Sequence, residues 1–239
     1  MGESLDLVRA AAQDNITTIV ASPHMLDGVY NVGRDEIFAG VAVLNDALKE
    51  HGIRVTVLAG ADVHVDTEIP ALLRDGRLVT VAGRGKHIML ELPPDVVPGE
   101  LDQLLFAVQL QGVRPVISHP ERNRAIQEEP DRLVPLIRAG SLTQVTAASI
   151  VGQFGTHVQD CAMALFERRL VHLVATDMHE TRRRTPRLSE AAAVLADTLG
   201  REGAEQILER NPEELIRGRY VDAPDPTEPK PRRRRFIFW

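Results

Sequence analysis

Cysteine is nearly absent: Cys161 stands alone in 239 residues. A lone thiol excludes an internal disulfide framework and any zinc site built on cysteine pairs, and it fits a reducing compartment. Long apolar runs are also missing, since no stretch approaches the roughly 18 uninterrupted apolar residues that a membrane-spanning helix needs. The N-terminus, MGESLDLVRAAAQD, lacks the basic start and apolar core of a secretory signal and reads as an amphipathic helix. The cytoplasm is therefore the expected compartment. Nor is there an excess of positive charge. Lys+Arg number 28 against 34 Asp+Glu, a net charge of -6, so no nucleic-acid partner is expected. Internal repeats are absent, and no linker breaks the pattern before residue 220. A single domain over residues 1–220 is expected, followed by a tail over residues 221–239. The tail, APDPTEPKPRRRRFIFW from Ala223, turns from proline-rich to basic to aromatic and reads as flexible.

Six runs rich in valine and isoleucine are present: Thr17–Ala21, Val55–Ala59, Ile88–Leu92, Pro115–Ser118, Leu142–Thr146 and His172–Thr176. Segments of helical period separate them, among them Asp35–His51, Glu100–Gly112, Pro130–Gly140, His157–Arg169 and Leu188–Leu199. Such alternation predicts α/β architecture with parallel strands, because consecutive parallel strands need a long crossover and are buried on both faces. Gly52, Gly112 and Gly140 each follow a helical run, where a left-handed C-cap is expected.

Ionisable residues recur where these strands end. TTIVASPH delivers His24, VTVLAGAD Asp62, IMLELP Glu91, PVISHPER His119, and HLVATDMH both Asp177 and His179. In barrels of parallel strands the C-terminal rim gathers such residues around one cavity. Glu91 is the sharpest case, since a carboxylate in the apolar HIMLELPP needs a partner to offset burial. Asp62 has two readings, ligand or helix-capping turn residue, and His64 is the alternative to it. Oxygen and imidazole donors without thiolates suit Mn²⁺, Fe²⁺, Zn²⁺ or Mg²⁺, and bridged ions of this kind hydrolyse phosphoesters. The loop after Asp177 then carries Arg182, Arg183, Arg184 and Arg187, and SHPERNR adds Arg122 and Arg124. Guanidinium forks bind phosphate oxygens in pairs, so arginines beside a metal cluster point to a phosphoryl group.

The segments SPH, LAGAD, MLELP, SHPERNR, QVTAASIVGQFG, ATDMHETRRRTPRL and NPEELIRG resemble the PHP-domain tyrosine phosphatases of bacterial capsule and exopolysaccharide loci, the CpsB/YwqE type. The resemblance runs in order from residue 3 to about residue 218. It implies a PHP-type distorted (β/α)7 barrel, a cluster of metals, Mn²⁺ first among them, and removal of phosphate from the phosphotyrosine tail of a bacterial tyrosine kinase. It places metal ligands at His24, Asp62, Glu91, His119, Asp177 and His179, with glutamate the common family residue at the Asp62 position. It places the phosphate-holding arginines at Arg122 and Arg184. Family members begin with a strand bearing His-x-His ahead of the helix that here is Glu3–Gln13, so the barrel is expected to lack its first strand. An open edge beside the strand ending at Thr176 then favours homo-oligomers. Two other functions share the fold: a phosphoesterase for a small molecule such as histidinol phosphate, and a catalytically inactive binding module. The cysteine class of tyrosine phosphatase is excluded, because Cys-x5-Arg fails here: Glu167 stands where arginine is required and Arg168 comes one place late.

Overall fold

In the computed structural model of the protein, which describes residues 1–26, 28–29, 32–182 and 184–227, all six apolar runs form parallel strands. The strands are β1 (Thr18–Ala21), β2 (His24–Met25), β3 (Thr56–Ala59), β4 (Asp62–His64), β5 (His87–Glu91), β6 (Arg114–Ser118), β7 (Leu142–Thr146) and β8 (Leu173–Ala175). β1 pairs with β3, and the other six follow one another in the order β2-β4-β5-β6-β7-β8. β1 and β2 are two stretches of one strand position, as are β3 and β4, because Thr18 faces Thr56 and His24 faces Asp62 at the same offset. Backbone bonds from Gly60 N to Ala21 O (2.8 Å) and from Asp62 N to Pro23 O (3.1 Å) carry the ladder across the interruption. Pro23 lacks an N–H, which is why the pairing breaks there. Gly60 makes room for Val20, since a Cβ would lie 2.4 Å from Val20 Cγ1 and force that side chain to shift. Six strand positions thus curve into a barrel wall. Among the described residues β8 pairs with β7 alone and β1 with β3 alone, so the wall is open between them.

The helices are α1 (Gly2–Gln13), α2 (Arg34–Glu50), α3 (Ile69–Arg74), α4 (Leu101–Gln109), α5 (Arg124–Glu128), α6 (Leu133–Arg138), α7 (Ala147–Ile150), α8 (Thr156–Glu167), α9 (Ser189–Glu205) and α10 (Asn211–Ile216). Gly52, Gly112 and Gly140 adopt the expected left-handed backbone at helix ends. Strand alternation sorts side chains into two layers. Val63, Ile88, Leu90, Ile117, Val145 and Val174 pack outward against Leu105 of α4, Leu165 of α8 and Leu195 of α9. Met89, Val116, Leu142 and Leu173 point the other way and form an inner cluster with Leu215 and Val221. Each fully buried aliphatic side chain contributes about 1.5–3 kcal/mol, so this inner cluster holds the wall's lower half together.

The inner cluster includes a residue beyond 220. Val221 is fully buried within it, and its carbonyl accepts from Arg114 Nη1. Thr227 N donates to Arg168 O at 3.0 Å. Val221 and Thr227 thus touch the packed domain, while Asp222, Pro224 and Asp225 between them are exposed. Arg183 and residues 228–239, with the basic and aromatic end of the tail, lie outside the described residues.

Candidate metal and phosphate site

The alternation that points Met89 inward also points Glu91 inward, two residues along β5. The same rule puts His24, Asp62 and His64, and Ser118 at the upper inward positions of β2, β4 and β6. Their side chains meet. His24 Nδ1 lies 2.9 Å from Glu91 Oε2, and His64 Nδ1 lies 3.9 Å from the same oxygen. His119 follows β6 with a left-handed backbone (φ 32°), a turn that brings its ring back over the rim. Its Nε2 stands 3.3 Å from Glu91 Oε1 and 3.5 Å from Asp62 Oδ2. Ser118 Oγ donates to Asp62 Oδ1 at 2.8 Å and so orients the carboxylate from below. One donor atom each from His24, Asp62 and Glu91 lie within 4.8 Å of one another. A cavity of about 420 Å³ opens above, lined by His24, His64, Glu91, His119 and Arg122 among others.

The electrostatics show what the pocket attracts. Burial opposes the charge on Glu91, but the hydrogen bond from His119 and the fields of His119, His24 and His64 outweigh it and bring its carboxyl below the usual value. Burial likewise opposes the His119 imidazolium, yet hydrogen bonds to Asp62 and Glu91 reverse that and push it up to about 10. Two carboxylates thus hold a protonated imidazole at neutral pH. A pocket that draws positive charge this strongly, with nitrogen and oxygen donors at coordination spacing, fits a divalent metal ion.

Asp177 and His179 sit beside this trio and bind other partners. Asp177, also left-handed (φ 49°), follows β8, and its Oδ2 accepts from Arg122 Nη1 at 2.8 Å and from Arg184 Nη2. His179 Nδ1 lies 2.9 Å from the carbonyl oxygen of Asp177, and the His179 ring is 6.5 Å from the ring of His24. The two groups share one rim. Arg184 Nε is buried without a hydrogen-bond partner among the described residues. An unsatisfied buried donor is costly, and a ligand oxygen would relieve it.

Three other arginines of these segments, Arg124, Arg182 and Arg187, are not assembled here. Arg124 begins α5, where Asn123 Oδ1 caps the helix through Ile126 N (3.0 Å) and turns the chain away, so Arg124 pairs with Glu128 in solvent. Arg187 pairs with Glu190, and Arg182 is exposed. Asp62 is buried on β4 rather than in an exposed turn, and His64 joins it instead of replacing it. Ser118 and Phe154 were not anticipated. Phe154 places its ring 5.1 Å from the Arg122 guanidinium carbon. Ser118 carries only the signal of a hydroxyl within the apolar PVIS. Cys161 is buried away from this rim, and burial together with the charge of Glu121 pushes its thiol up to about 12, which removes it as a nucleophile.

The family model described as capsular polysaccharide synthesis, CpsB/CapC, matches residues 1–217. The chain belongs to this CpsB/CapC family. It is 35% identical to the tyrosine-protein phosphatase YwqE of Bacillus subtilis (strain 168), over 99% of this chain and 92% of that protein. It is 25% identical to the tyrosine-protein phosphatase CpsB of Streptococcus agalactiae, over 92% of each. Among solved structures, one from the work on YwqE of Bacillus subtilis and CpsB of Streptococcus pneumoniae, described as unique metal-dependent tyrosine phosphatases, superposes with a TM-score of 0.92. That match is 34% identical and covers 96% of this chain and 92% of the other. The fold is thus the α/β class expected from the strand pattern and the PHP type that the family resemblance implied.

Proposed function

We propose that the protein is a divalent-metal-dependent tyrosine phosphatase that acts on the phosphotyrosine tail of a bacterial tyrosine kinase controlling capsule or exopolysaccharide synthesis. One observation carries the reading: a His/Asp/Glu pocket that draws positive charge is lined by Arg122, which shares Asp177 with Arg184, and among the described residues the buried Nε–H of Arg184 lacks an acceptor. The metal-dependent phosphatases named above support it by their likeness. His24, Asp62, Glu91 and His119 are the residues we assign to metal, with Asp177 and His179 at the open side of the pocket, and Mn²⁺ is the ion we assign. When bound, such ions polarise phosphoryl oxygens and supply an activated water.

The chain's own groups do the remaining work. His119 would hold an ion as a neutral imidazole, its proton lost to solvent, while Ser118 keeps Asp62 oriented. Each guanidinium has five N–H donors, of which Asp177 engages one from Arg122 and one from Arg184. The remaining donors are assigned to the phosphoryl oxygens, whose charge grows in the transition state. Asp177 thus keeps two like charges side by side before substrate arrives. This is why an acid precedes the arginine loop.

The test uses protein stripped by chelation and reloaded in parallel with Mn²⁺, Fe²⁺, Zn²⁺ or Mg²⁺. Hydrolysis of phosphotyrosine peptides is expected only after reloading, fastest with Mn²⁺. Activity that survives chelation, or loaded protein that cleaves histidinol phosphate but not phosphotyrosine, overturns the proposal.

A further inference from the structure

The turn between α7 and α8, Val151–Gly155, has no place in the site as assigned so far, yet it touches the site at one point. Arg122 lies against the ring of Phe154, at 5.1 Å from carbon to centroid, while its Nη1 reaches Asp177. The guanidinium is therefore held on one side by a π face and at one edge by a carboxylate. Its side chain remains about one-third exposed (32%), so without the ring it would sample more rotamers.

The turn is built to hold the ring there. Gly152 (φ 77°) and Gly155 (φ 90°) adopt left-handed backbone that a side chain would strain, and Gly155 N closes the turn on Gly152 O at 3.0 Å. Gln153 N bonds Ala148 O, and Gln159 Nε2 bonds Ile150 O, which brace both ends. The support under Phe154 is tied to the turn that carries Arg122. Glu121, the neighbour of Arg122, is fully buried, and its Oε1 accepts from Thr146 N (3.1 Å) and from Ser149 Oγ (2.6 Å) of α7. Ring and guanidinium are thereby fixed to one another through a buried peg as well as by direct contact.

We infer that Phe154 is a positioning residue that acts through Arg122, holding the guanidinium in the orientation that receives the phosphoryl group. The inference rests on the phosphatase reading of the site. Cation–π contacts at partly exposed positions predict that Phe154→Leu lowers kcat/KM about fivefold. The loss is expected to be equal for aryl and alkyl phosphomonoesters, because the ring acts on the arginine and not on the substrate. Bound metal is unchanged. Phe154→Tyr and Phe154→Trp, which restore a π face, recover most of the loss.

The deciding experiment is a double-mutant cycle with Arg122→Ala, read as kcat/KM with phosphotyrosine peptide and with an alkyl phosphate. Phe154→Leu should have almost no effect once Arg122 is gone. A nitrogen–proton spectrum of the arginine side chains gives a second reading that needs no turnover: the Arg122 Nε–H resonance, shifted by the ring current, should move in Phe154→Leu and not in Phe154→Tyr. Additive losses in the cycle, a loss confined to aryl phosphates, or an unmoved Arg122 resonance overturns the inference. Wild-type protein that lacks metal-dependent turnover while the resonance behaves as expected retires the phosphatase reading and leaves the Phe154 contact standing.

Discussion

Acid should loosen the end of the barrel opposite the site. His87 opens β5, the strand that ends in Glu91, and His172 precedes β8, the strand that leads to Asp177. They are 3% and 1% exposed. Burial, helped by the nearby Arg114 guanidinium, pushes each imidazole down to about 4. His172 Nδ1 also accepts from Thr143 N at 3.1 Å, a bond that requires the unprotonated nitrogen. A base whose folded pKa lies below its unfolded value of 6.5 gives its full stability above pH 6.5, and that stability is lost as pH falls toward 4. Between pH 7.5 and pH 5 the loss is about 2 kcal/mol for each histidine, about 4 kcal/mol for both. For a chain of this length that lowers Tm by about 8–16 °C. His119 works the other way in metal-free protein, because its folded pKa is raised and its contribution is full below pH 6.5, so wild-type data alone mix the two effects. The assay is therefore calorimetric unfolding in chelator at pH 7.5 and 5.0, on wild type and on the double variant His87→Gln/His172→Gln, which retains His119. The wild type should lose about 4 kcal/mol more than the variant over this interval. Equal losses would show that the two histidines are not held neutral by burial.

Glu91→Gln removes the carboxylate shared by three histidines, and bound metal should fall more than about tenfold by elemental analysis; metal content near wild type would place the ligands elsewhere. Arg184→Ala should leave metal content unchanged and lower kcat/KM about 100-fold, the scale of a lost transition-state donor, and an emptied metal site would contradict that division of roles. Cys161→Ala should retain turnover, since a buried thiol pushed up to about 12 is no nucleophile; abolished turnover in folded protein would point to cysteine chemistry. Asp14, at the end of α1, accepts from Leu188 N and Ser189 N and so caps α9 from a distance. Asp14→Ala should cost about 1 kcal/mol, seen as a Tm lower by about 2–4 °C, and an unchanged Tm would mean that the cap contributes nothing.

Strand and helix order were legible because both rest on short-range periodicity. Valine-rich runs between helical segments leave little choice but parallel strands with crossovers, and a glutamate inside HIMLELPP announces a site because burial without a partner is untenable. His24, Asp62, Glu91 and His119 were readable as strand-end residues for the same reason. Tertiary structure alone decided who meets whom. Asp177 turns to Arg122 and Arg184, and His119 bridges Asp62 and Glu91, through left-handed residues that no hydrophobic pattern encodes. Arg124 looked equivalent to Arg122, but a single capping asparagine between them sends one to the site and the other to solvent. One valine among prolines and charges shows no period, so the seat of Val221 in the inner cluster is visible only in the folded chain. Periodicity is a property of neighbours along the chain. Contacts between strand ends, turns and a returning terminus depend on register and backbone dihedrals fixed only when the whole wall is assembled.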